Sequence, residues 1–301
     1  MIDLPLDQVR TLLAAVDEGT FEAAASALQV TPSAVSQRIK ALEQRTGRIL
    51  LLRSKPVRLT GSGEVVVRFG RQLARLEGDA AAELGLSGAA GPVTLPVAVN
   101  ADSLATWFLP ALAEVSQQLD VCFDLHRDDQ DHTTSLLRQG RVMAAVTSSP
   151  DPVQGCSVRP LGRMRYLAMA APAFAARRLS HGPLPELLPE APVIVFDRKD
   201  DLQDRFLRDL APGGAPGGRA RTYVPSSESF VRAVAAGLGW GMIPEDQAAA
   251  HRAAGALVEL AAGRPVDVPL YWQQWKLDSP ALAALADAVE RTAATALGGQ
   301  P

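Results

Sequence analysis

One stretch constrains the fold more than any other: residues 20–60, TFEAAASALQVTPSAVSQRIKALEQRTGRILLLRSKPVRLT. Phe21, Ala24, Ala25 and Leu28 recur at helical spacing and mark one face of a short helix. Gln29 and Val30 make a tight turn. Thr31 is placed as an N-cap and Pro32 as the first helical residue, where a missing N–H costs nothing. The second helix runs to about Thr46 and stops at Gly47.

This second helix has two faces. Val35, Ile39 and Leu42 are expected to bury against the first helix, whereas Ser33, Ser36, Gln37 and Lys40 share the opposite face. Leu50–Arg53 and Val57–Leu59 read as short strands joined at Ser54-Lys55-Pro56, a wing. From Ser33 to Arg58 there are seven basic residues and one acid, Glu43, in a chain whose net charge is −3. A local positive patch beside a helix-turn-helix fits duplex DNA, since counterion release supplies sequence-independent affinity. The groove-facing candidates are Thr31, Ser33, Ser36, Gln37 and Lys40. Gln37 is suited to adenine, and Lys40 to guanine or phosphate. Arg38, Arg53, Lys55 and Arg58 are expected at the phosphate backbone or an adjacent minor groove.

A preceding helix carries Leu6, Val9, Leu12, Leu13 and Val16 and ends at Gly19. Thr60 is placed to cap a long helix from about Gly61 to Leu86. Its Val66, Phe69, Leu73, Leu76 and Ala80 form a narrow seam that suits self-association, because no neighbouring element offers it a core. Gly85–Pro92 reads as a linker.

From Val93 the pattern becomes alternating strands and helices. Strands are expected at Val93–Val99, Val121–Leu125, Val142–Thr147, Tyr166–Ala171, Val193–Phe196, Thr222–Val224, Gly241–Ile243 and Leu270–Trp275. Helices are expected at Trp107–Leu119, Thr133–Arg138, Leu202–Leu210, Glu228–Ala236, Gln247–Ala253 and Ala281–Leu297, with a polar turn at Asn100–Ser103 and a surface loop at Gly213–Gly218. The opening β-α-β-α-β order implies a parallel sheet, and the length fits two α/β lobes with a cleft between them. The expected division is a winged-helix DNA-binding domain over 1–60, a dimerising linker helix and hinge over 61–90, and an effector domain over 91–301. Lobe 1 of that domain spans about 91–165 and 269–301, and lobe 2 about 166–268.

Ligands of such sheets sit beyond the carboxyl ends of strands. The effector candidates are therefore Asp102, Ser103, Ala105, Trp107, Asp129, Thr147, Ser148, Asp197, Ser226 and Ser227. Ser103 and Ala105 are offered as carboxylate partners, and Asp129, Asp197 and Asp102 as counter-charges for amino groups.

Catalytic and metal signatures are absent from the sequence. Gly61-Ser62-Gly63 is not a nucleophile elbow, Gly237, Gly239 and Gly241 run in the reverse of the dinucleotide-binding order, and His126, His132, His181 and His251 are scattered. No cofactor and no enzymatic activity are expected. Cys122 and Cys156 are too few for a disulfide framework. The N-terminus, MIDLPLDQVR, lacks a basic region followed by an apolar core, and no apolar run approaches bilayer length. These features point to the cytoplasm and to no membrane partner.

The segments FEAAASALQVTPSAVSQRIKALEQRTG, the wing and RLTGSGEVVVRFG resemble the LysR-type transcriptional regulators. Leu52 stands where many members carry phenylalanine, and Gly61-Ser62 where many carry Glu-Ala. The resemblance implies an α/β protein with an all-α winged-helix head, a long linker helix and a two-lobed effector domain like a periplasmic binding protein. LPVAVNADSLATWFLPAL, RDDQDHTTSLLRQG, VIVFDRKDDLQD, PSSESFV and PLYWQQWKLDSP resemble the branch regulating export of lysine and arginine. That branch implies L-lysine or L-arginine as effector, promoter operator DNA as partner, and a homodimer or homotetramer, with RNA polymerase left open as a contact. A regulator answering to another effector, such as a carboxylate, is the alternative. A transport-type binding protein and an enzyme with an appended DNA-binding head are the rivals from other classes.

Overall fold

The computed structural model describes residues 4–52, 54–84, 92–127, 130–212 and 220–298. The expected linker (apart from Pro92 at its end), the loop at 213–218, Asp129 and Arg53 lie outside the described residues.

The head consists of α1 (Leu6–Asp17), α2 (Phe21–Ala27), α3 (Pro32–Thr46) and a wing of β1 (Leu51–Leu52) and β2 (Arg58–Leu59), paired antiparallel. The expected caps form: Thr20 accepts from Ala23 N at 3.1 Å, Thr31 from Ala34 N at 3.2 Å, and Gly47 takes the left-handed conformation at φ 63°. Only a residue without Cβ adopts that conformation without strain. Val35, Ile39 and Leu42 are buried with Val9, Leu12, Leu50 and Leu51 in one core. Glu43, the one acid of the basic stretch, braces the backbone. Its Oε1 accepts from Leu50 N at 2.8 Å and holds the entry to the wing.

The long helix α4 (Gly61–Glu83) starts where Thr60 caps it, its hydroxyl accepting from Gly63 N at 3.1 Å. The expectation that nothing packs against this helix is corrected. Val66 and Val67 belong to the head core, and Gly70 lies against Val9 and Leu13 of α1. Phe69 and Leu76 remain 40% and 42% exposed, so the outer part of the seam is uncovered in the single chain.

The rest comprises β3 (Val93–Val99), α5 (Ala101–Thr106), α6 (Leu109–Gln118), β4 (Val121–Arg127), α7 (Gln130–Arg138), β5 (Ala144–Thr147), β6 (Cys156–Ala170), α8 (Pro172–Arg178), α9 (Leu184–Leu187), β7 (Val193–Val195), α10 (Leu202–Leu210), β8 (Arg221–Tyr223), α11 (Ser227–Ala235), β9 (Gly241–Pro244), α12 (Glu245–Ala253), β10 (Val258–Glu259), β11 (Val266–Trp275) and α13 (Pro280–Ala296). As the opening order implied, β3 pairs parallel with β4 and β5. The sheet becomes mixed because β11 runs antiparallel to β5 and to β6. Farther along, β6 pairs with β9 and β10, while β7 pairs parallel with β8 and is tied to Trp240 by Ile194 N to Trp240 O at 2.8 Å.

Two strands therefore serve both lobes. β6 is 15 residues long, and the strand expected from Tyr166 is only its last part; β11 begins at Val266 rather than Leu270. Their crossing forms the floor between the lobes, where a register shift falls between Leu270 and Tyr271. The polar turn at Asn100–Ser103 is a helix start: Asn100 caps α5, accepting from Ser103 N at 3.1 Å. The helix expected from Trp107 starts at Leu109, with Trp107 and Phe108 buried in the corner.

Candidate functional site

On the head, Ser33, Gln37 and Lys40 stand exposed along one face of α3, Ser36 is half-buried beside them, and Lys55 and Arg58 are exposed on the wing. Thr31 is committed to its cap. Arg38 leans back on α1, its Nη1 donating to Thr11 Oγ1 at 3.4 Å and its Nε lying 4.0 Å from Asp7. The surface thus pairs an exposed polar helix face with a basic hairpin, the arrangement that places a helix in a major groove and a wing on the backbone.

The second site is the cleft between the lobes, a cavity of about 660 Å³ over the crossing of β6 and β11. Of the effector candidates, Asp102, Ser148, Asp197 and Ser227 line it. The others do not. Ser103 is fully buried and does not line the cleft: its N–H is taken by Asn100, and its hydroxyl is buried without a hydrogen-bond partner. Ala105 is exposed away from the cleft, and Trp107 lies in the core. Thr147 is buried, its hydroxyl accepting from Ser149 N at 3.1 Å. Ser226 serves as the cap of α11.

Asp102 is the centre of a network between the lobes. Its Oδ1 accepts from Ser227 Oγ at 2.6 Å and its Oδ2 from Tyr166 Oη at 2.8 Å. Gln247 Nε2 donates to Ser227 Oγ at 2.9 Å. Desolvation raises the Asp102 carboxyl above its ordinary 3.8, against the lowering effect of the Ser227 and Tyr166 hydrogen bonds. The phenol of Tyr166 is also raised, by burial and by the charge of Asp102.

Asp200 is a second cleft carboxylate, absent from the candidates read off the sequence. Its oxygens accept from Phe196 N and Leu202 N, each at 3.0 Å. Burial raises its pKa, with Asp102's charge adding to the effect. Among the described residues, neither carboxylate has an ion-pair partner. Asp197 ties its own loop, accepting from Lys199 N at 2.7 Å and Asp200 N at 3.1 Å. Arg127, likewise absent from those candidates, lines the cleft from the carboxyl end of β4, beside the end of β3 that leads into the helix of Asp102. Asp197 and Asp200 were signalled in the sequence by the run FDRKDD after a strand. Tyr166 and Gln203 carried no such signal, since each lies within an otherwise ordinary amphipathic element.

Among the described residues the cleft holds no histidine or cysteine, and its serine closest to a carboxylate, Ser227, is held in the Asp102 network. No group of His, Cys, Asp and Glu suited to a metal ion occurs among the described residues. Cys156 is a buried free thiol, pushed up to about 11 by burial. No helix of the described residues is long and apolar enough to cross a membrane.

Comparison with known proteins agrees with this division. The bacterial regulatory helix-turn-helix protein family, lysR type, matches residues 6–64, and the LysR substrate binding domain matches residues 90–294. The chain is 46% identical over 283 residues to the lysine export transcriptional regulatory protein LysG of Corynebacterium glutamicum, covering 94% of this chain and 95% of that protein. Among solved structures, full-length LysG from C. glutamicum with bound effector Arg superposes with a TM-score of 0.83 at 43% identity, covering 98% of this chain and all of that one (100%). ArgP from Mycobacterium tuberculosis superposes with a TM-score of 0.87 at 45% identity, covering 97% and 98% of the two chains. A winged helix-turn-helix, a long linking helix and a two-lobed binding domain in one chain make this protein a member of the LysR-type transcriptional regulators, DNA-binding proteins and not enzymes.

Proposed function

We propose that this regulator senses a basic amino acid, L-lysine or L-arginine, in the inter-lobe cleft and controls expression of a basic amino-acid exporter from promoter operator DNA. The observation that carries the reading is the pair Asp102 and Asp200. Both are carboxylates lining one cleft, burial raises the pKa of both, and among the described residues neither makes an ion-pair contact, although Arg221 acts on Asp200 at longer range. A buried charge of that kind calls for a ligand cation. The bound arginine named for the C. glutamicum relative and the export role in that relative's name support the same reading. The cationic headgroup lies toward Asp102 and Asp200, with Asp197 nearby. The α-carboxylate lies toward Arg127 and Ser148, not at Ser103, which has no free N–H to offer.

Ser33, Ser36, Gln37 and Lys40 read the major groove from α3, flanked by Thr31 at its start, and Arg38, Arg53, Lys55 and Arg58 contact the backbone. The head occupies 1–60, the linker helix and hinge 61–90, and the effector domain 91–301. The protein acts in the cytoplasm as a homodimer or homotetramer through the exposed outer seam of α4. A carboxylate effector without a cationic group leaves Asp102 and Asp200 without a ligand cation and is disfavoured on that ground.

Calorimetry with lysine, arginine and norleucine tests the effector. The basic amino acids are expected to bind the full chain in the micromolar to millimolar range, about −4 to −8 kcal/mol. Norleucine binding as well as lysine would refute the charge-based reading.

A further inference from the structure

Gln203 is the cleft residue whose hydrogen bonding is incomplete. It sits in the first turn of α10, is 3% exposed and lines the cleft. Its Nε2 donates to the Ile194 carbonyl at 3.2 Å. That contact, to a carbonyl that can only accept, fixes which end of the amide is nitrogen. The other end, Oε1, is buried with no hydrogen-bond partner. An unpaired buried carbonyl oxygen is costly and is retained where a donor arrives from outside.

We infer that Gln203 sets the preference of this cleft for a guanidinium over an ammonium group. The inference rests on the cationic-ligand reading above. The acceptors around this part of the cleft include the carboxylates of Asp102 and Asp200 and the neutral Oε1 of Gln203. An ammonium is a compact, strongly hydrated charge with three donors, and the carboxylates alone satisfy it. A guanidinium is a planar fork of five N–H donors and is more weakly hydrated. It spreads its donors over a wider arc and reaches an amide oxygen beside the carboxylate. Oε1 carries no net charge, so it adds little attraction for a point charge. What it adds is one more acceptor in the plane of a fork. Lysine leaves Oε1 unpaired, whereas arginine pairs it.

The test is calorimetry on the full chain with L-arginine and L-lysine, for the parent and Gln203→Met. Methionine keeps the volume and removes the acceptor. The parent is expected to bind arginine about tenfold more tightly than lysine, the gain of one hydrogen bond to a charged group. Gln203→Met is expected to lose about tenfold for arginine and little for lysine, bringing the two together. Thermal unfolding of the free variant checks its fold. Should it not fold, Gln203→Asn withdraws the oxygen by one methylene and is expected to lose the preference in the same way. An arginine preference that persists in a folded variant overturns the inference, as does an equal loss for both ligands, which marks a purely structural role. Failure of both amino acids to bind the folded parent overturns the cationic-ligand reading itself, and the inference with it.

Discussion

The hydroxyl of Ser227 donates to the Asp102 carboxylate at 2.6 Å, joining α11 of one lobe to α5 of the other across 125 residues of sequence. With Tyr166 on the second oxygen, this contact fixes the carboxylate and ties the lobes at the back of the cleft. Ser227→Ala is expected to cost about 1 kcal/mol of stability and to loosen lobe closure. Asp102→Asn keeps the shape and removes the charge, so it is expected to weaken lysine or arginine binding by about 1.5–3 kcal/mol and to leave DNA affinity without effector unchanged. Calorimetry and chemical denaturation of both variants check this, and unchanged arginine affinity in Asp102→Asn would remove Asp102 from the site.

The same carboxyl makes stability and binding depend on pH. Burial raises the pKa of Asp102 and Asp200 in the folded chain above the ordinary 3.8. Below the ordinary value both states are protonated and no cost is felt. As pH rises from there toward the folded pKa, the unfolded chain ionises first and stability falls. A bound cation favours the ionised form, so its affinity rises through the same window and binding releases protons. Thermal melts from acidic to neutral pH, with and without arginine, should show the ligand's stabilisation growing with pH, and Asp102→Asn should flatten the dependence.

Gln37 and Lys40 share the exposed face of α3 but carry different chemistry. Gln37→Ala is expected to cost about 1–3 kcal/mol on the cognate operator and little elsewhere. Lys40→Ala is expected to weaken all sequences and lower the salt slope by about one. Titrations of both variants at several salt concentrations decide, and unchanged affinities for both would refute the groove assignment.

Leu76 is 42% exposed on α4, whereas Val66 of the same seam is buried in the head core. A charge at Leu76 therefore probes self-association without damaging the head. Leu76→Asp is expected to shift sedimentation toward the monomer with the unfolding midpoint of the head intact. A variant as oligomeric as the parent would place the dimer contact elsewhere.

Arg71 of α4 touches both the head and the effector domain. It pairs with Asp17 at the end of α1 and donates to the Gln139 carbonyl at 3.0 Å. Next to Gln139, Gly140 at φ +68° packs so closely that a Cβ there would lie 2.9 Å from Arg68 Cα. Arg71→Ala is expected to leave arginine binding and effector-free DNA binding near parent values, while the change in DNA affinity on adding arginine shrinks. Operator titrations with and without arginine measure that coupling.

The sequence by itself determined the head. Its caps, its two-faced second helix and its basic wing depend on residues within a turn or two of one another, and there helical and strand periods act locally. Local order also announced the β3–β5 unit and most later helices. Tertiary structure decided the cleft. Asp102 and Ser103 are neighbours on α5, and about 100° of helical rotation separates adjacent side chains. Only the docking of α5 made Asp102 the cleft residue and sealed Ser103 inside. Asp102 on α5, Tyr166 on β6, and Asp200 with Gln203 at the start of α10 come from distant segments that meet because β6 and β11 cross from one lobe to the other. That long-range pairing, and the desolvation it imposes on the carboxylates, leaves no mark on the spacing of any single segment.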